Sequence, residues 1–360
     1  MSNLDVINNI DSKYFFPNKI DELKKLLKDI PLEYEDFITL NNKFFLVMEL
    51  EHNTDESNFY VEYISFLHKD KNFNWNKVYF DVDDEKPENI ALYLIENNYS
   101  LDVIESLFNN GYNPNSYSMV DFGVPLFMQC LHQKQEYIPI LLKSGVDVYK
   151  TNSLDENFIK YCIDKDDYSL FKSILKDNPL DQHSFTNKEL DRIIYGFCTL
   201  IYKEKFDNII NFFNELKFIG INEKSRMHDV CKGLFDKYRY PKKQEIVYSL
   251  MKSLFDYGLD KNLCNTHTST PEPILITLIE KLGTEGDHFN NNLINDKLFH
   301  LLLDHLIENK NIDNIPWDDW LVEEDIMSIK HYIVLKEKEN IINSINHDDI
   351  KHNLSKKKRI

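Results

Sequence analysis

Glycine is scarce in this chain, which has only 9 glycines among its 360 residues. Loops that hold phosphate groups need clustered glycines, and the sequence contains neither a GxGxxG nor a GxxxxGK pattern. The HExxH pattern of zinc proteases and the GxSxG pattern of serine hydrolases are missing as well. No catalytic residue, metal ligand set or cofactor is therefore predicted from a motif.

Cysteine is also sparse, and no two of the 5 cysteines have the CxxC spacing of a zinc ribbon or a redox site. Residues 1–11 are polar and acidic and lack the apolar core of a signal peptide. No run of about 18 apolar residues, the length of a membrane span, is present. The sequence therefore predicts a cytoplasmic protein with no membrane association. Its cysteines are expected to be small core residues in a reducing compartment: Cys130, Cys162, Cys198, Cys231 and Cys264.

Positive charge is in deficit, with 42 Lys and Arg against 60 Asp and Glu and a formal net charge of −18. Nucleic-acid binders need dense positive charge to displace counterions, so nucleic acid is not an expected partner. An acidic surface favours a basic protein partner, because its field speeds association. The alternative is that the charge serves solubility alone.

The chain does contain a spacing that repeats. Apolar helices end at Gly111, Gly145 and Asn178, and these positions are 34 and 33 residues apart. A first helix begins 21 residues before each of them, at Ile90, Val124 and Asn157. Glycine and asparagine tolerate the left-handed conformation that closes a helix. The spacing therefore predicts consecutive helix pairs in which residues 111, 145 and 178 are left-handed.

This pattern resembles the ankyrin-repeat family over residues 87–180 and 235–312. Leu254–Asp260 is similar to the end of an ankyrin second helix, and Thr270-Pro271 follows where the next unit starts. Residues 181–234 are helical but out of register, and the family's Thr-Pro-Leu-His tetrad is complete nowhere. The resemblance implies a mainly α fold, an ankyrin-like α-solenoid of about five or six helix pairs.

The resemblance also implies that a partner contacts the repeat loops and the exposed faces of the first helices. It places protein-binding residues at Asp121, Phe122, Tyr149, Asn152 and His267. Near the C-terminus, Trp317 and Trp320 lie among carboxylates. They form either an aromatic anchor for a basic partner or the apolar face of a cap.

The two ends of the chain depart from the repeat. Residues 1–85 are expected to form a small α+β N-terminal cap, with a helix over Ile20–Ile30 and strands over Phe59–Leu67 and Val78–Val82. Within this region, Leu32–Phe37 resembles the opening helices of the SMI1/KNR4-like immunity superfamily, a likeness that spans residues 19–42. The remaining predicted segments are the helix pairs of residues 86–312 with Leu298–Ile307 as the last stacking helix, a helical C-terminal cap over residues 313–350, and a basic flexible tail over residues 351–360.

Two groups of side chains could carry chemistry. Asp81, Asp83, Asp84 and Glu85 could bind a divalent cation, although a solvated linker before a helix N-terminus explains them as well. His228 and Cys231 are three residues apart and could meet on a helix. A nucleophile also needs an orienting group and an oxyanion site, so core packing is the competing interpretation.

The predicted function is that of a non-enzymatic protein-binding scaffold, an acidic inhibitor of the immunity type that masks a basic target. One alternative is an ankyrin-repeat effector or viral adaptor that acts in a host cell. A second alternative is a metal-dependent enzyme in residues 1–85, with the repeats as its targeting arm.

Overall fold

The computed structural model describes the molecule in segments. These are residues 7, 9–11, 14, 19–32, 39–40, 57–77, 79–82, 86–117, 123–221, 226–259, 264–265, 272–283, 296–308, 323, 326–327, 329–339 and 341–342. The fold is mainly helical, as the sequence predicts. The chain divides into two compact units, residues 1–159 and residues 160–360. The domain boundaries predicted after residues 85, 312 and 350 stay predictions.

The first unit contains short helices and one hairpin. They are α1 (Ile20–Leu27), α2 (Ser57–Lys71), a 3-10 turn (Trp75–Lys77), β1 (Tyr79–Val82), β2 (Lys86–Asn89), α3 (Ile90–Glu96), α4 (Leu101–Asn109), α5 (Leu126–Gln133), α6 (Ile138–Lys143) and the start of α7 (Phe158–Lys165). The boundary between the two units falls inside α7.

The second unit continues the alternation with longer helices. They are α8 (Tyr168–Leu175), α9 (Asn187–Tyr202), α10 (Ile209–Leu216), α11 (Met227–Tyr238), α12 (Gln244–Asp256), β3 (Cys264–Asn265), β4 (Glu272–Pro273), α13 (Ile274–Gly283) and α14 (Lys297–Glu308). Residues 329–339 are helical as well. Within the described residues, no helix has both the length and the apolar character that crossing a membrane requires.

Successive helix pairs stack in each unit. In the second unit, α9, α11 and α13 contact one another in series, and so do α10, α12 and α14. In the first unit, α2, α4 and α6 form a similar series. The helices bury apolar side chains against their neighbours, which is how short helices gain stability that they lack in isolation.

Left-handed residues close the second helices, as the spacing predicts at two of three positions. Gly111 and Gly145 have φ angles of 87° and 78°, which a residue with a side chain rarely adopts. The prediction for Asn178 is wrong, because this residue is not among those with positive φ. Its side-chain amide instead donates to the carbonyl of Ile174 at 3.1 Å and satisfies a free helix carbonyl without a left-handed turn.

Short antiparallel pairings precede three of the first helices. β1 pairs with β2, with Tyr79 opposite Asn89, and leads into α3. A bridge between Tyr117 and Pro125 precedes α5. β3 pairs with β4, with Cys264 opposite Pro273, and leads into α13. The strands are therefore part of the helix-pair pattern.

The N-terminal predictions are partly confirmed. The helix over Ile20–Leu27 forms and buries Ile20, Leu23 and Leu27, and the strand at Tyr79–Val82 forms. The strand predicted over Phe59–Leu67 is wrong, because Ser57–Lys71 is a helix. Phe59, Tyr63 and Leu67 are all buried, and their spacing of four places them on one helical face.

The last described helices pack on each other. The helix predicted over Leu298–Ile307 is confirmed as α14, which buries Leu298, Leu302 and Leu303. The ring of Tyr332 lies 4.7 Å from the ring of His300, and its hydroxyl donates to Asp304 at 2.8 Å. Residues 329–339 are therefore anchored to α14 by an aromatic contact, a charged hydrogen bond and an ion pair between Lys336 and Asp304 at 3.6 Å.

Candidate protein-binding surface

The predicted protein-binding residues occupy different environments. Tyr149 is only 5% exposed and its ring lies 5.5 Å from the ring of Phe158, so its placement on a partner-facing surface is corrected to a core position. Asn152 is partly exposed, and its side-chain oxygen accepts from the backbone N–H groups of Leu154 at 2.9 Å and Glu156 at 3.0 Å. It therefore shapes the turn before α7. The residues that lie outside the described segments are Asp121, Phe122, His267, Trp317 and Trp320.

His228 and Cys231 lie in the core of the second unit. Both side chains are buried, and Nε2 of His228 lies 2.7 Å from the hydroxyl of Thr277, which is also buried. Burial raises the pKa of the Cys231 thiol, so the protonated form persists. The core-packing interpretation is confirmed for this pair, which joins α11 to α13.

The described residues contain no group of three or more His, Cys, Asp or Glu side chains that could hold a metal ion. Asp81 lies in β1 opposite Pro87. Asp83, Asp84 and Glu85 lie outside the described segments, so the divalent-cation hypothesis for this cluster stays a prediction.

Polar contacts fasten three of the first-helix turns to the next helix pair. Three turns contain a left-handed residue that is not glycine: Asn98, Asp166 and Glu204, with φ between 58° and 60°. Each accepts a hydrogen bond from the following pair, and the donors are Lys134 for Asn98, Asn208 for Asp166 at 3.0 Å, and both Lys237 and Lys243 for Glu204. These contacts hold successive turns in register.

A second series of contacts joins the loops that follow the second helices in the first unit. The side-chain oxygen of Asn76 accepts from the backbone N–H of Asn113 at 2.6 Å. The side-chain oxygen of Asn115 accepts from the backbone N–H of Asp147, also at 2.6 Å. Because both ends of a pair are fixed to the next pair, side chains that project from the pairs are held in defined positions.

The first helices differ in how much surface they expose. α3, α5 and α13 are buried on every side over residues 90–95, 126–131 and 274–279, so they present no face to a partner. α9 and α11 each expose a stripe. We define the α9–α11 face by its exposed side chains, namely Arg192 and Tyr195 from α9 and Asp229 and Lys232 from α11.

Tyr195 is the most prominent residue of the α9–α11 face, with 58% of its surface exposed. The amine of Lys160 lies 5.5 Å from its ring centroid, within the range of a cation–π contact. Lys160 is itself buried and pairs with Asp164 one turn later on α7. One side of the Tyr195 ring therefore contacts the buried Lys160 amine, and the rest of the ring is exposed.

Gly196 allows α7 to approach α9 behind this ring. A Cβ atom at position 196 would lie 2.8 Å from Cγ2 of Ile163, closer than real Cβ contacts. The α9–α11 face was missed by the sequence predictions, although residues 192, 195, 199 and 202 have the spacing of one helical face. Neither a protein-family model, nor a curated protein, nor a solved structure matches this chain.

Proposed function

We propose that the chain is a non-enzymatic protein-binding scaffold built as an ankyrin-like α-solenoid with caps at both ends. Several observations support the proposal: the helix pairs stack in series, antiparallel pairings precede three first helices, and left-handed glycines follow the second helices at Gly111, Gly145, Gly220 and Gly258. Stacked pairs of this kind create extended surfaces that bind proteins through scattered side chains.

The α9–α11 face carries the proposal. Tyrosine and arginine dominate the binding energy of protein interfaces, because both combine a large contact area with hydrogen-bonding groups. Tyr195 and Arg192 provide this pair on a long helix. The buried contacts beneath Tyr195 reduce the conformational entropy that its ring would lose on binding.

The charge distribution supports a basic partner. Acidic residues exceed basic residues by 14 in residues 1–159 but by only 4 in residues 160–360. A field of this sign attracts a basic protein and raises its association rate. An acidic inhibitor of the immunity type, which masks a basic target, is the protein class that combines these features best.

Affinity purification of the tagged full-length protein from its own cells, at low and at high salt, tests the proposal. Mass spectrometry then identifies what is retained. We expect a basic protein that is lost as salt rises, because screening shortens the reach of surface charges to about 8–10 Å at moderate ionic strength. Absence of any protein partner at either salt concentration contradicts the proposal.

Paired variants then locate the contact. Tyr195→Ala is expected to lower the affinity for the identified partner about tenfold or more, the usual loss at an interfacial tyrosine. Phe218→Ala removes an aromatic ring that is 80% exposed at the far end of α10 and is the matched control. Equal losses in both variants would show that the α9–α11 face has no special role.

A further inference from the structure

A second surface of the second unit is rich in positive charge, although the whole chain is acidic. It lies where α9 and α11 end, and its exposed side chains define what we name the turn edge: Tyr202, Lys203, Lys205, Arg239, Tyr240 and Lys242. Residues 202–207 and 237–243 contain six basic residues and two acidic ones. A cationic edge is therefore built into an acidic protein.

One carboxylate brings the two turns together. Glu204 accepts from Lys237 at 3.3 Å and from Lys243 at 2.5 Å, and these contacts lower its pKa. Lys203 donates to the backbone carbonyl of Asp164 at 3.1 Å, which neutralises none of its charge. Glu204 therefore joins the two turns, and basic residues exceed acidic ones by four in the two segments that it connects.

Two aromatic rings project from the same edge. Tyr202 is 82% exposed and Tyr240 is 63% exposed. Tyr202 is two residues from Glu204, and Tyr240 is three residues from each of the lysines that Glu204 contacts. Both rings therefore belong to the same two short segments as the cations, and each offers an exposed apolar surface.

Compensation of the helix macrodipole does not explain this charge. Cations at a helix C-terminus are stabilising in general, so every first-helix end should attract them. The equivalent turns after α3 and α5, residues 96–101 and 132–138, contain one basic residue, Lys134, and two acidic residues, Glu96 and Glu136. The same helix geometry therefore occurs with a single cation and a negative local charge, so the excess of cations is a property of the α9 and α11 turns.

We infer that the turn edge binds a short acidic segment of a partner protein, with its carboxylates on Lys203, Lys205 and Lys242 and its apolar side chains on Tyr202 and Tyr240. Arginine and lysine bind carboxylates through charged hydrogen bonds, and tyrosine supplies rigid contact area. A long polyanion would also meet the repulsive remainder of the chain. A short segment meets mainly the local cations, because more distant charges are screened beyond about 10 Å.

Three fluorescein-labelled probes, measured by anisotropy with the full chain, test this site without knowledge of the partner. They are an acidic peptide of alternating glutamate and leucine, a basic peptide of alternating lysine and leucine, and an oligothymidylate of the same length. We expect saturable binding of the acidic peptide that weakens as salt rises. No binding of this peptide at low salt overturns the inference.

Two double variants with the same net charge test whether the acidic peptide binds at the turn edge or responds only to the charge of the whole chain. Lys205→Glu/Lys242→Glu is expected to lower the affinity for the acidic peptide at least about fivefold, a typical loss for reversed charges in contact with a ligand. The control Lys28→Glu/Lys176→Glu makes the same change in net charge at exposed lysines outside the edge and should change affinity less than about twofold. Equal losses in the two double variants overturn the inference.

The tyrosines give a second readout. Tyr202→Ala/Tyr240→Ala should lose affinity for the acidic peptide, whereas Tyr202→Phe/Tyr240→Phe should retain it, because the ring provides the contact. Tighter binding of the oligothymidylate, lost in the alanine variant, would overturn the peptide assignment in favour of single-stranded nucleic acid. The basic peptide tests the basic partner proposed above, so its failure to bind counts against that proposal and leaves the turn edge standing.

Discussion

The two units share helix pairs but differ in what those pairs expose. In residues 1–159 the first helices are short, with 7 residues in α3 and 8 in α5, and they are buried over most of their length. In residues 160–360, α9 has 16 residues and α11 has 12, and both retain an exposed stripe. Most of the net negative charge belongs to the first unit.

The two units therefore contribute different features to binding, and the composition of the whole chain averages these features together. The average charge describes the first unit well, but it hides a face and an edge in the second unit where tyrosine and cations are exposed. Long-range attraction of a basic partner and short-range contacts at the α9–α11 face therefore depend on different parts of the chain. A comparison of units is more informative here than the net charge.

Cavities in the two cores should produce the largest effects. The buried ring of Phe212 lies 5.2 Å from Phe171 and 5.3 Å from Tyr168, so Phe212→Ala is expected to cost about 3–5 kcal/mol. In the first unit, Phe127 is equally buried and lies 6.5 Å from Phe158. Phe127→Ala should have a cost of similar size. Scanning calorimetry of both variants and the native chain measures these changes.

The same experiment tests the division into units. If the units unfold separately, Phe212→Ala lowers one transition and Phe127→Ala lowers the other. A single transition that shifts equally in both variants would show that the two units unfold together, and the comparison would then apply to surfaces alone.

A close helix contact in the second unit should produce the next largest effect. Gly196→Ala places a methyl group 2.8 Å from Cγ2 of Ile163, and such overpacking costs about 1–3 kcal/mol. Gly233→Ala is the matched control, because its nearest neighbour, Cγ2 of Ile201, is 3.4 Å away. Alanine improves helix propensity by up to about 1 kcal/mol, so the control should be neutral or stabilising in urea unfolding. Destabilisation by both substitutions would reject the close-contact explanation.

A hydrogen bond between α11 and the start of α14 should have an intermediate effect. The hydroxyl of Tyr238 donates to Asp296 at 3.0 Å, and this carboxylate also caps α14 through the N–H groups of Leu298 and Phe299. Tyr238→Phe is expected to cost about 1–2 kcal/mol, within the range for a bond to a charged group. Urea unfolding near neutral pH measures this cost. Tyr202→Phe, at an exposed ring, should change stability by less than about 0.5 kcal/mol.

The pH dependence of this variant has a defined sign. Burial and the nearby charge of Asp296 raise the pKa of Tyr238 in the folded chain. The associated stability is complete below the unfolded pKa of about 10 and is lost as pH rises towards the folded pKa. The gap between the native chain and Tyr238→Phe should therefore narrow above about pH 10. A gap that widens in alkali contradicts this assignment.

Local rules predicted the fold where a residue's conformation depends on its neighbours in sequence. Gly111 and Gly145 were predicted correctly, because a helix end that needs positive φ selects glycine over most residues. Asn178 was predicted wrongly, because asparagine can close a helix in two ways and the sequence does not show which. The strand predicted over Phe59–Leu67 is wrong because Tyr60, Ile64 and Phe66 are buried as well, which the alternation of a half-buried strand does not allow.

The surfaces could not be predicted from local rules. Tyr149 follows a predicted helix end, yet packing against Phe158 makes it a core residue. The turn edge joins residues 202–207 to residues 237–243, and the sequence alone does not show that Glu204 connects them. The exposed stripe of α9 had a readable spacing, but it lies in the region that departs from the repeat register.

A change in salt concentration should have the smallest effect on the free energy of unfolding, and it compares the two units most directly. Like charges within residues 1–159 repel one another at low ionic strength, and the screening length falls from about 10 Å at 0.1 M to about 3 Å at 1 M salt. Raising sodium chloride over this range should therefore stabilise the first unit more than the second. We expect a difference of at most about 1 kcal/mol, since exposed charges interact weakly.

Calorimetry of Phe127→Ala and Phe212→Ala at both salt concentrations assigns the shift to a unit. Sodium chloride is preferable to sulfate, because sulfate strengthens apolar burial in both units and would hide the charge effect. A larger shift for the transition sensitive to Phe212→Ala would mean that charge in residues 160–360 is concentrated enough to repel more strongly than the larger excess in residues 1–159. The repulsion among the cations of the turn edge would then be the next quantity to measure. Lys205→Glu/Lys242→Glu relieves this repulsion, so its unfolding transition should shift less with salt.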